Sequence, residues 1–184
     1  TGRRAMANAC SSDLRKYLPG RPAGEDNYHL KRFSADLGKR APGADRLGID
    51  TADIGLPGAG PHVVRDVERL ASEIGRSGLR IRANCAARTM TADIQPIADI
   101  VQRTGVPIEC CCFIGSSPIR RYAEDWTVEH LLRCTEEAVG FAVGHGLEVM
   151  YVTEDTTRSD PDTLRRLFRT AIQAGASRIC IADT

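Results

Sequence analysis

The chain is 184 residues long, 42% hydrophobic and 27% charged, with a formal net charge of +1. That length allows one domain with a sizeable core but falls short of the roughly 250 residues of a complete (β/α)8 barrel. The near-neutral balance implies neither a nucleic-acid partner nor an anionic membrane. No apolar run approaches the ~20 residues that cross a bilayer, and the basic start lacks the apolar centre of a signal peptide, so a cytoplasmic protein without a membrane segment is expected.

Residues 1 to 45 differ from the rest. All three lysines (Lys16, Lys31, Lys39) lie here, nine basic residues face five acidic ones, and Pro19, Pro22, Pro42 and several glycines interrupt any period. The stretch reads as an irregular basic arm rather than a nucleic-acid tail, because aromatic and basic residues do not interleave in it.

From Leu47 a unit of helix, turn, apolar strand and polar tip recurs five times. The tips are Thr51 to Gly58, Arg80 to Arg88, Phe113 to Arg121, Val152 to Arg158, and Ile179 to Thr184. Between them run segments with apolar residues at helical spacing, as crossovers between parallel strands require. Pro61 opens a helix with Val64, Val67, Leu70, Ala71 and Ile74 on one side. Thr91 is placed to cap a second, carrying Ile94, Ile97, Ile100 and Val101, in which Pro96 is a weak point. Thr127 caps a third that closes at Gly144 and Gly146. Ser159 or Asp160 caps a fourth, with Pro161 in its first turn and Leu164, Leu167, Phe168, Ala171 and Ile172 on one face.

These units predict an α/β fold with parallel strands. Gly55-Leu-Pro-Gly-Ala-Gly60 does not match the Gly-x-Gly-x-x-Gly of a dinucleotide-binding sheet, and polar tips on every strand favour a partial (β/α)8 TIM barrel over residues 46–184. Seven cysteines include the consecutive Cys110, Cys111 and Cys112. Neighbouring strand residues point to opposite faces, so the triplet cannot converge on one metal, and buried reduced thiols are expected.

On a barrel rim, Asn84, Arg88, Ser116, Ser117, Arg120, Arg121, Thr153, Glu154, Arg158, Asp183 and Thr184 would share a pocket. Guanidinium and hydroxyl groups suit a small carboxylate or phosphate, and Glu154 at a strand end suits a general base or a hydroxyl acceptor. The alternative for each is local structure: Arg158 pairing with Glu154 or Asp155, Thr156 or Ser159 serving only as a cap.

Gly55-Leu-Pro-Gly58, Phe113-Ile-Gly-Ser-Ser-Pro-Ile-Arg-Arg-Tyr122, Val152-Thr-Glu-Asp-Thr-Thr-Arg-Ser-Asp-Pro161 and Ile181-Ala-Asp-Thr184 together resemble the 2-isopropylmalate synthase and homocitrate synthase family, within the pyruvate carboxyltransferase-like metallolyase barrels. The resemblance runs from about Asp45 to Thr184, in register with strands two to six of that barrel. It implies an acyltransferase of amino-acid biosynthesis, leucine biosynthesis in particular, that condenses acetyl-CoA with a 2-oxo acid. The family uses a divalent metal, Mg2+ or Mn2+, and pairs as a homodimer.

By the family pattern Glu154 is the catalytic residue, and it and Thr184 contact the oxo acid, with Thr153 nearby. Arg158, Asn84, Arg88, Ser116 and Arg120 complete the substrate-binding set. The family's Leu-Arg-Asp-Gly is missing from residues 1–45, and none of His29, His62, His130 and His145 forms a His-x-His pair. The expected metal ligands are therefore missing from this sequence, and the chain is expected to be a truncated member. Two other readings stand beside acyl transfer: a non-catalytic or partner-dependent half-barrel, and an acyl-CoA lyase or aldolase of the same superfamily.

Overall fold

The computed structural model describes residues 50–183, so the basic N-terminal stretch and Thr184 lie outside the described residues. Five strands, β1 (Thr51–Asp53), β2 (Arg82–Arg88), β3 (Ile108–Gly115), β4 (Val149–Glu154) and β5 (Arg178–Ile181), form one sheet in chain order with every neighbouring pair parallel. The crossovers are α1 (Pro61–Arg76), α2 (Thr91–Thr104), the short α3 (Pro118–Ala123) with α4 (Val128–Gly144), and α5 (Pro161–Gln173).

The strand order settles barrel against open sheet. A doubly wound sheet reverses its order at a switch point and carries helices on both faces. Here the spatial order never reverses, and right-handed crossovers then lay every helix on the same face. The five strands are part of a (β/α)8 barrel.

Alternation along the strands separates two faces. Cys85 on β2, Cys110, Cys112 and Ile114 on β3, and Val149 and Tyr151 on β4 join a core with Val67, Leu70, Ile94, Ile97, Ile100, Leu131, Val139 and Leu167 of the helices. Asn84, Glu109, Cys111, Phe113, Met150, Val152, Arg178 and Cys180 alternate with them and stand on the opposite, inner face. Arg178 confirms this placement: its Nε donates to Glu109 Oε1 at 2.8 Å and its outer nitrogen pairs with Oε2, reaching from β5 over β4 to β3.

The helix caps follow the sequence at two of three places. The Thr127 hydroxyl accepts from the His130 N–H at 3.1 Å, and the Asp160 carboxylate accepts from the Thr163 N–H at 2.8 Å. Thr91 does not cap; it is the first helical residue, and Met90 precedes it without a side-chain cap. Pro96 sits inside α2, beyond the first turn. Its cost, ~3 kcal/mol in a helix interior, is outweighed by Ile94, Ile97 and Ile100, all fully buried, each contributing ~1.5–3 kcal/mol. Within the polar tip Phe113 to Arg121 the chain makes a helical turn, α3, capped by the Ser117 hydroxyl, which the sequence reading did not anticipate. Ile172, predicted to face the core, is 59% exposed.

The six thiols among the described residues are free but not uniformly buried. Cys85, Cys110, Cys111 and Cys112 are buried, whereas Cys134 and Cys180 are half-buried.

Candidate functional site

The C-terminal ends of parallel strands gather the polar groups because each strand stops there and a helix or 3-10 turn starts, leaving side chains and backbone N–H groups without ladder partners. At the tip of β3 the chain ends in Gly115, whose register partner on β4 is Glu154. A Cβ at Gly115 would lie 3.1 Å from Arg120 Cγ and 3.7 Å from Glu154 Oε2. The gap left by the missing side chain is already occupied to contact distance by the stem of Arg120, with the Glu154 carboxylate beside it. Arg120 reaches this place from the first turns of α3, where Ser117 caps its N–H. Its guanidinium lies 5.5 Å from the Trp126 ring centroid and 3.5 Å from Glu124 Oε1.

Around that gap the loops are stitched together. Ser116 is buried and its hydroxyl donates to Ser159 Oγ at 3.0 Å, linking the β3 and β4 tips. Thr156 Oγ1 lies 2.8 Å from Thr153 Oγ1 and from the Thr153 carbonyl, and 2.9 Å from the Ala182 carbonyl, linking β4 to the end of β5. Thr157 donates to Asp183 Oδ1 at 2.6 Å. Asp155 holds a left-handed backbone (φ 50°), a conformation Asp tolerates better than most residues. Its buried Oδ1 has no hydrogen-bond partner among the described residues, although Arg158 Nε approaches to 3.2 Å as an ion pair without hydrogen-bonding geometry.

The predicted rim residues therefore divide. Glu154 and Arg120 lie against Gly115, and the buried Ser116 follows it in the chain, bonded to Ser159. Asn84 is buried on the inner face at β2, level with Asp53 of β1, and its side-chain amide makes no hydrogen bond among the described residues. Arg88 is on the rim, but its Nε and one outer nitrogen already donate to Asp93, at 2.7 and 2.8 Å. Its fork is closed to a substrate carboxylate, leaving only its remaining nitrogen. Arg158 is exposed and turned to Asp155, the local pairing that the sequence left open. Arg121 Nε reaches the Trp126 carbonyl at 3.4 Å. Thr153 is fully buried, bonded to Thr156, and belongs to the helix-facing set of β4, so its hydroxyl braces the strand end and does not open onto the gap. Thr184 lies outside the described residues.

Asp53 was not singled out from sequence. It stands half-buried on the inner face, Oδ1 accepts from the Gly55 N–H at 2.9 Å, and burial raises its carboxyl above the ordinary range despite that bond. Its signal in the sequence was its place at the tip Thr51-Ala-Asp-Ile-Gly, which the neighbouring glycines overshadowed. A shallow hollow lined by Pro57, Gly60, Pro61, Val64, Ala92 and Pro96 contains none of the predicted residues.

Among the described residues no three His, Cys, Asp or Glu side chains converge to hold a metal ion. The described residues do not by themselves make a divalent site.

Residues 39–184 match the HMGL-like family. The chain belongs to that family. It is 33% identical over 162 residues to the 2-isopropylmalate synthase of Sulfolobus acidocaldarius, covering 80% of this chain and 40% of that protein. It is 32% identical over 140 residues to the homocitrate synthase of Pyrococcus abyssi, covering 76% of this chain and 37% of that protein. The chain thus spans about two fifths of the length of these curated relatives. Among solved structures it superposes on the HMG-CoA lyase of Bacillus subtilis with a TM-score of 0.59 at 16% identity, covering 82% of this chain and 51% of the other, a likeness of fold. Both names and fold agree with the resemblance carried by the tip motifs. No helix among the described residues is long and apolar enough to cross a membrane.

Proposed function

We propose that this chain forms the substrate-binding rim of an acetyl-CoA-dependent acyltransferase that condenses acetyl-CoA with a 2-oxo acid. One observation carries the reading: in an HMGL-like chain a third identical to 2-isopropylmalate synthase, Glu154 and Arg120 lie against Gly115 where adjacent parallel strands end. In this reaction the acetyl methyl loses a proton, the enolate carbon bonds to the keto carbon, and hydrolysis of the thioester releases CoA. Arg120 attracts the oxo-acid carboxylate, Glu154 serves as general base or accepts a hydrogen bond from the new hydroxyl, and Ser116 fixes the loop below them. Asn84 supplies an uncommitted amide to the same inner face, with Arg88 and Thr184 as further rim contacts. Arg158 and Thr153 hold the backbone that carries Glu154. The intact enzyme would be a cytoplasmic homodimer using Mg2+ or Mn2+.

The test joins this chain to the complementary strands of an HMGL-like synthase and measures CoA release with a panel of 2-oxo acids. Glu154→Gln is expected to lower turnover by 10²-fold or more, the scale of a lost general base. Full turnover by that variant would remove Glu154 from the reaction, and inactivity of the parent across the panel would count against acyl transfer. A second reading, a partner-dependent half-barrel, is favoured by the two strands, β1 and β5, that among the described residues pair on one side only.

A further inference from the structure

The arginines around the sheet differ in what holds them. Arg88 gives its Nε and one outer nitrogen to Asp93, Arg158 turns to Asp155, and Arg178 engages both carboxylate oxygens of Glu109. Arg120 is held in another way: its Cζ stands over the Trp126 ring, 5.5 Å from the centroid, and Nη1 lies 3.5 Å from Glu124 on an exposed helical turn. The difference is chemical. A carboxylate takes up the N–H donors of a guanidinium, whereas the electron-rich face of a ring attracts the charge and leaves the donors along the edge free.

The ring is itself fixed. The Trp126 N–H donates to the Arg121 carbonyl at 2.9 Å, and the Trp126 carbonyl accepts from Arg121 Nε at 3.4 Å, so the residue is tied back to the end of α3. Asp125 allows that return with a left-handed backbone, φ 53°, at a helix end where glycine is the usual residue. The indole packs against the core and against the His130 imidazole, with ring centroids 5.7 Å apart, and His130 Nε2 lies 3.4 Å from Cys134 Sγ. At its other end the Arg120 stem rests on Gly115, where a Cβ would come within 3.1 Å of Cγ. Stem and head of this arginine are thus both located, the stem by a missing side chain and the head by a ring.

We infer that Trp126 is a positioning residue: its ring holds the Arg120 guanidinium at the β3 tip with N–H donors free for a substrate carboxylate. The inference rests on the proposed reading of Arg120 as the partner of the oxo-acid carboxylate. The full chain and its Arg120→Ala, Trp126→Leu, Trp126→Phe and combined Arg120→Ala, Trp126→Leu variants are checked for folding by circular dichroism. Each is then titrated with pyruvate, the smallest 2-oxo acid, by ligand-observed NMR.

Trp126→Leu is expected to weaken pyruvate binding about three- to ten-fold, and Trp126→Phe, which keeps an aromatic face, by about two-fold or less. In the Arg120→Ala background Trp126→Leu is expected to cost nothing further, because a residue that acts through Arg120 has no effect once Arg120 is gone. Additive losses, an equal loss in Trp126→Phe, or unchanged binding in Trp126→Leu would each overturn the positioning role and leave the reading of Arg120 standing. Wild-type affinity in Arg120→Ala overturns that reading and the inference with it, as does a wild-type chain that binds no pyruvate. If Trp126→Leu does not fold, the wild-type Arg120 Nε–H resonance decides, assigned by its loss in Arg120→Ala. It is expected upfield of free arginine through the ring current of Trp126, and the free-arginine position would overturn the inference.

Discussion

Gly58 packs against the carboxylate of Asp93, and a Cβ at that glycine would lie 2.4 Å from Asp93 Cγ. Asp93 is buried and cannot retreat, because its oxygens also accept from the side chain and backbone N–H of Arg88. A single carboxylate thus ties the 3-10 turn after β1, the tip of β2 and the first turn of α2. The geometry at Gly58 requires the smallest side chain for reasons of space, not of backbone angle. Gly58→Ala is expected to destabilise the chain by ~1–3 kcal/mol, the range for overpacking a filled site. Urea denaturation followed by circular dichroism reads this as a lower midpoint at unchanged slope, and an unaltered midpoint would mean that the turn yields freely.

β3 shows how an element can be built from reactive residues and remain inert. Its run Ile108-Glu-Cys-Cys-Cys-Phe-Ile-Gly115 sends Cys110 and Cys112 into the helix-covered core, 3.5 Å apart, and Cys111 to the inner face. The hydrogen bond with Cys112 and burial push the Cys110 thiol up, and burial together with the nearby Glu109 and Asp53 carboxylates pushes Cys111 up. Folded, these thiols keep their protons where an unfolded chain would begin to lose them, above about pH 8.5. The unfolded state then binds fewer protons than the folded one, so stability must fall as pH rises through that range. Thermal melts at pH 7.5 and pH 10 are expected to show this loss, and Cys110→Ala is expected to make it shallower. A thiol reagent added to the folded chain at pH 8 should leave Cys110 and Cys112 unmodified until denaturant is added. Rapid modification of either would place them outside the packed layer.

For the molecule as a whole, sequential strand order has a consequence at the ends of the sheet. Among the described residues β1 and β5 each pair on one side only, and Ile181 at the end of β5 is 67% exposed. Unpaired parallel edges with apolar flanks favour association. Sedimentation velocity is expected to show a weight-average mass that rises with concentration. Ile181→Lys is expected to reduce that rise, because a charge on an edge strand opposes pairing. A concentration-independent monomer would show that the edges are already protected.

The repeated strand and helix units, the apolar face of α1, the cap at Thr127, a cap at Ser159 or Asp160, and the family were all legible in the sequence, because period, cap chemistry and tip motifs are local and survive in one dimension. The sequence also placed Glu154 at a strand end and Arg120 in the polar tip after β3. Which neighbours each polar side chain meets was set by packing in three dimensions. Asp93, far from any motif, occupies the fork of Arg88; Thr153 points into the helix layer with Thr156; Glu109 and Arg178, sixty-nine residues apart, neutralise each other over β4. The physical reason is that a hydrogen bond depends on distances of a few ångströms between segments brought together by the register of parallel strands, and that register is fixed by the packing of the whole sheet against its helices.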